Sequence, residues 1–123
     1  MISFEQFKIE DGYPIYTQII QYIKRGIVAG RIRNQDEVPS RRVLSSLIGV
    51  NPTTVQKAYR MLEEENIIES RSGAISYVTV DASKIASIRS QLLEGDLGAV
   101  VKAMKQMGIS KEEALRLMAK LWD

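Results

Sequence analysis

The sequence predicts an α+β fold, mostly α, on three observations. Apolar residues recur at helical spacing over residues 15–27 and again over 55–62. Two capped helical segments meet at Gly49 with hardly any chain between them, and two β-prone runs flank a short loop containing Gly73.

The first helix is announced by Pro14, whose missing N–H costs nothing in a first turn. Ile15, Ile19, Ile23 and Ile27 follow at four-residue steps with Tyr16 and Ile20 beside them, so one face is apolar for about four turns and must meet a core. Gly30 is a suitable terminator, and the polar stretch to Pro39 reads as a connection in which Val38 adds a short strand. Ser40 can cap a second, short helix carrying Val43, Leu44, Leu47 and Ile48, which ends at Gly49. Only Val50 intervenes before Asn51 caps a third helix with Pro52 in its first turn. A short helix, a tight turn with glycine and another helix make a helix-turn-helix pattern.

The third helix carries two stripes. Val55, Ala58, Tyr59 and Leu62 form a core-facing one, while Thr53, Gln56, Lys57 and Arg60 repeat the same spacing two residues earlier. "IIES" (67–70) and "ISYVTV" (75–80), joined by "RSGA" (71–74), then read as a hairpin, the wing of a winged helix-turn-helix over residues 1–80. Residues 81–123 are predicted to be a helical tail. Ile85, Ile88 and Leu92 make one stripe up to a break expected at "EGDLG" (94–98), and Val100, Val101 and Met104 make another. Ser110 with Glu113 is a capping box for a last helix with Leu115, Met118, Leu121 and Trp122. These 43 residues are near the limit of independent folding, about 40 residues, so their stripes need another surface. A second copy of the chain would supply it, making this tail the dimerisation segment.

Composition removes most other functions. The chain has no cysteine and no histidine, which excludes disulfides and thiolate sites and takes away the commonest general base and metal ligand. No catalytic constellation, metal set or cofactor motif stands out, and Glu63, Glu64 and Glu65 read as a solvated helix end. Met104, Met107 and Met118 read as packing residues. No apolar run is long enough for a membrane span and no signal peptide opens the chain, so a cytoplasmic location is expected. Net charge is only +2, yet Lys24 to Arg60 holds eight basic residues against two acidic ones.

That local excess of positive charge points to nucleic acid. Open N–H groups at the start of the third helix, with the hydroxyls of Thr53 and Thr54, suit a phosphate. Gln56 can pair with adenine, Lys57 can reach guanine or phosphate, and Arg60 lies where a backbone contact is expected. Ser40, Arg41 and Arg42 would meet the backbone at the start of the second helix. Arg71, Ser72 and Gly73 would lie along a minor groove. The rival reading, a winged-helix protein interaction module without DNA, is disfavoured by the same charge and by the hydroxyl-rich helix start.

"PIYTQIIQYIKRGIVAGRI", "VPSRRVLSSLIGVNPTTVQKAYRMLEEENII" and "RSGAISYV" together resemble GntR-family bacterial transcription regulators over residues 12–80. "NPTTVQKAY" and the short tail resemble the YtrA-like subfamily, whose tail serves dimerisation. The resemblance implies a homodimeric repressor on a palindromic stretch of double-stranded DNA. By it, Ser40 and Arg42 match the Pro-Ser-x-Arg contacts, Thr53, Thr54 and Gln56 match recognition-helix positions, and Gly73 matches the wing glycine. Relatives often carry arginine where this chain has Pro52 and Gln56, so base preference does not carry over. Ile75 replaces a common second wing glycine. The tail is too short for the separate effector domain of other subfamilies, which argues against direct sensing of a metabolite.

Overall fold

The computed structural model describes residues 1–71, 73 and 75–123. Five helices are α1 (Ile15–Val28), α2 (Arg41–Ile48), α3 (Pro52–Glu64), α4 (Ala82–Gln106) and α5 (Lys111–Trp122). Three short strands, β1 (Glu37–Val38), β2 (Ile68–Ser70) and β3 (Ser76–Val78), form an antiparallel sheet in the order β1-β3-β2. Glu69 pairs with Tyr77 across the hairpin and Glu37 pairs with Tyr77 on its other side, so the strand expected at Val38 completes the wing.

The chain divides into two compact units, residues 1–89 and 90–123. The core of the first unit is what the stripes predict. Ile19, Ile20, Ile23 and Ile27 of α1 are buried with Val55, Ala58, Tyr59 and Leu62 of α3 and with Ile67, Ile68 and Val78 of the hairpin. Each fully covered Ile, Leu or Val side chain contributes roughly 1.5–3 kcal/mol of transfer free energy. In α2 only Leu44 is fully covered, whereas Val43 and Leu47 are exposed, because an eight-residue helix offers the core a single narrow edge. Gly49 ends α2 at φ +68, a left-handed conformation that lets the chain turn at once into α3. Two residues of the segment 2–7, which carries no helical pattern, also join the core. Ile2 and Phe4 are buried, the Ile2 N–H donates to the Glu37 carbonyl, and the Phe4 ring stacks on Tyr22 at 4.9 Å.

The break expected at residues 94–98 does not occur: α4 runs unbroken from Ala82 to Gln106. Glycine costs only about 1 kcal/mol relative to alanine in a helix interior, and Gly95 and Gly98 lie among good helix formers with no proline. The second unit has no buried side chain among its described residues. Its α5 carries the Ser110 half of the expected capping box, the Glu113 N–H donating to the Ser110 hydroxyl oxygen at 3.2 Å.

Candidate nucleic-acid interface

The helix-turn-helix is held from inside by Tyr59. Its ring sits in the core on α3, and its hydroxyl donates to the Pro39 carbonyl at 2.7 Å, fixing the residue just ahead of the α2 cap. Burial raises the Tyr59 phenol well above its ordinary range, with the nearby Arg41 guanidinium pulling the other way. Ser40 then caps α2 by accepting the Val43 N–H at 3.2 Å. Arg42 follows on the exposed side of α2.

Arg41 takes a different course from its neighbour. Its Nη2 pairs with the Glu63 carboxylate at 3.0 Å, its guanidinium lies 5.5 Å from the centre of the Tyr59 ring, and its Nε is buried without a hydrogen-bond partner. Glu65 pairs with Lys24 of α1 at 2.9 Å, and its carbonyl accepts from Lys84 Nζ at 2.8 Å. The acidic end of α3 is therefore not the solvated run expected. Glu63 and Glu65 each neutralise a cation that a charge count assigns to the surface.

The start of α3 also departs from expectation. The Asn51 Oδ1 accepts both the Thr53 N–H, at 2.9 Å, and the Thr53 hydroxyl, at 2.8 Å, while the Thr54 N–H donates to the Asn51 carbonyl at 2.9 Å. Pro52 has no N–H to give. Two of the open backbone donors predicted there are thus closed, one by the Asn51 side chain and one by its carbonyl, and the Thr53 hydroxyl donates within the same cap. One turn on, Gln56, Lys57 and Arg60 stand exposed on the outward face. Lys57 is tethered there, its Nζ 4.0 Å from the centre of the Tyr16 ring on α1, a contact worth roughly 0.5–1 kcal/mol at the surface.

At the wing, Arg71 donates to Glu69 at 3.1 Å and its guanidinium lies 4.7 Å from the Tyr77 ring centre. Gly73 holds φ +78 in the turn, whereas Ser72 lies outside the described residues. Arg42, Asn51, Thr53, Gln56, Lys57 and Arg60 are thus exposed on or beside α2 and α3, Ser40 and Thr54 are half-buried, and Arg41 is tied to Glu63. Sequence reasoning did not find Tyr16, Glu63 or the hydroxyl role of Tyr59. Their one signal was that a buried tyrosine hydroxyl needs an acceptor.

The residues expected to dimerise differ in what the chain leaves uncovered. Ile88 is 3% exposed inside the first unit, packed with its own domain, so it is removed from a partner-facing set. Ile85, Leu92, Met104 and Met118 are half-buried. Val100, Val101, Leu115, Leu121 and Trp122 are exposed, Trp122 to 86%. In the second unit, Leu97, Val101, Met104, Leu115 and Met118 line one apolar groove between α4 and α5. Among the described residues, no helix is long and apolar enough to cross a membrane, and no cluster of carboxylates could hold a metal ion.

This geometry has close counterparts. Residues 15–78 match the model of bacterial regulatory proteins of the gntR family. The HTH-type transcriptional repressor YtrA of Bacillus subtilis is 38% identical over 101 residues, which cover 82% of this chain and 73% of that protein. Among solved structures, a GntR family transcriptional regulator from Listeria monocytogenes is 35% identical with a TM-score of 0.83, covering 91% of this chain and 98% of that one. AraR(DBD), solved in complex with operator ORX1, is 25% identical with a TM-score of 0.51 over 64% of this chain and 95% of its own. A winged helix-turn-helix with this exposed α3 face, matched over more than half its length, belongs to the GntR family of bacterial regulatory proteins, which are DNA-binding transcription regulators.

Proposed function

We propose that the protein is a homodimeric repressor that reads a palindromic operator, one α3 in the major groove of each half-site. The observation that carries this is α3, where Gln56, Lys57 and Arg60 are exposed within about one turn of each other, with Arg42 exposed on α2. Gln56 offers the donor–acceptor pair that matches adenine, and the three cations neutralise phosphate or meet guanine. The structure of AraR with its operator supports the same use of the fold.

The tail supports the homodimer. A unit of 34 residues without one buried side chain does not stabilise itself, and it leaves Val100, Val101, Leu115, Leu121 and Trp122 exposed for a second copy to cover. Two α3 helices then meet one face of the duplex, about one helical turn (~34 Å) or a multiple apart.

Gel shift and footprinting with the DNA just upstream of the protein's own gene test the reading. A protected palindrome is expected. Arg42→Gln should weaken binding to every duplex and reduce the salt slope by about 0.9 for each phosphate no longer neutralised, whereas Gln56→Ala should reorder preference among sequences. Unchanged ranking in Gln56→Ala would mean that another face of α3 reads the bases.

A further inference from the structure

We infer that Arg41 and Glu63 form a positioning clamp that fixes α2 against α3, and that Arg41 is not a phosphate ligand. The inference deepens the DNA-reading assignment and rests on it. Arg41 and Arg42 are adjacent in sequence and equal in charge, yet only Arg42 is exposed. A guanidinium grips phosphate best with two parallel N–H donors. On Arg41 the edge made by Nε and Nη2 is withdrawn from such use, because Nη2 is held by Glu63 at 3.0 Å and Nε is enclosed.

The placement of the pair explains what the clamp does. Arg41 opens α2, one residue after its cap, and Glu63 stands in the last turn of α3. Tyr59, one turn earlier on α3, donates to Pro39 and lies beneath the Arg41 guanidinium. Three contacts thus join the start of α2 to the C-terminal half of α3. The covalent link between the helices is the short turn through Gly49 at the far end. With both ends fixed, the angle between the helices is set, and so is the distance between Arg42, on α2, and Gln56, on α3. A phosphate contact and a base contact can then be made together only in the correct register. The clamp therefore acts on binding to the chosen sequence and leaves general attraction to DNA alone.

Two variants and two duplexes test this. One duplex is the sequence enriched by the wild-type protein from a random double-stranded pool, and the other is an unselected mixed-sequence duplex of equal length. Both are titrated by fluorescence anisotropy across salt concentrations, and melting curves verify that each variant is folded. Glu63→Gln keeps the shape but not the charge. It should weaken binding to the enriched duplex about three- to tenfold, judged from the usual strength of partly exposed ion pairs acting in both subunits. Salt slope should stay unchanged, and so should affinity for the mixed duplex, within about twofold. The charge swap Arg41→Glu with Glu63→Arg should restore binding to the enriched duplex.

If Arg41 were instead a phosphate ligand restrained by Glu63, Glu63→Gln would bind both duplexes more tightly, with a slope steeper by about 0.9 for each additional phosphate neutralised. The swap would then bind worst of all, since it sets a carboxylate against phosphate. Either result overturns the inference, as does an unchanged affinity of Glu63→Gln for the enriched duplex. Failure of the wild-type protein to enrich any sequence would count against the DNA-reading assignment itself, before any variant is made.

Discussion

Replacing Tyr59 by phenylalanine removes one oxygen from the centre of the molecule and should show itself in two ways. At pH 8 the Pro39 carbonyl loses the hydroxyl that donates to it at 2.7 Å, while the ring that fills the core stays. A buried carbonyl without its donor costs roughly 1–3 kcal/mol, and a unit of this size loses about 4–8 °C of melting temperature per kcal/mol. The second effect depends on pH. The fold holds the Tyr59 phenol neutral beyond the pH at which a free tyrosine ionises, because its pKa is raised by burial, opposed in part by Arg41. Below pH 10 the group is protonated in both folded and unfolded chains, and its contribution is fully present. Above that, the unfolded chain ionises first, and wild type loses stability at up to about 1.4 kcal/mol per pH unit. The phenylalanine variant has no such group. Thermal melts followed by circular dichroism at pH 8, 9 and 11 should therefore show a gap between the two proteins that is nearly the same at pH 8 and 9 and narrower at pH 11. Other tyrosines and the lysines are common to both, so the difference isolates Tyr59. A gap that stays the same from pH 8 to 11 would refute the account of burial, and no gap at pH 8 would refute that of the hydrogen bond.

Other outcomes follow from single contacts. Asn51→Ala opens the cap of α3 and should cost about 0.5–2 kcal/mol in denaturant titration, with weaker DNA binding because the first turn frays. Gly49→Ala must hold φ +68 with a side chain, and about 1–2 kcal/mol should be lost at a turn where the added methyl meets no neighbouring atom. Leu115→Asp places a charge on the exposed tail face. Analytical ultracentrifugation should then report monomers, while the melting of residues 1–89 stays the same to within about 1 °C, as surface changes remote from a core usually leave stability nearly unaltered.

Periodicity revealed what depends on neighbours three or four residues apart. The stripe from Ile19 to Ile27, the Ser40, Asn51 and Ser110 caps and the hairpin pairing of Ile68 with Val78 all stand where local pattern puts them. The continuity of α4 was hidden because two glycines look like a stop but cost too little to make one. Residues 2–7 were hidden because their burial comes from the sides of α1 and β1, and nothing in their own spacing records it. In the interface, the exposed side chains were legible and the partners of the others were not. Arg41 with Glu63 are 22 residues apart, Lys24 with Glu65 are 41 apart, and no spacing rule joins them.

Those pairs change what the charge of the chain means. Lys24 and Arg41 belong to the basic excess over residues 24–60, yet each is bound to a glutamate from the end of α3. At the wing, Arg71 is likewise paired with Glu69. A count along the sequence therefore overstates the positive charge that α2 and α3 present to solvent, which comes chiefly from Arg42, Lys57 and Arg60. Three such residues in each of two copies would release counterions with a salt slope on the order of five, modest for a dimeric regulator. On the proposed reading, discrimination would rest on Gln56 and on the fixed angle between α2 and α3. If α3 reads the bases as proposed, the Arg41–Glu63 pair would sharpen the choice of sequence by holding that angle, without adding to or taking from the attraction to DNA in general.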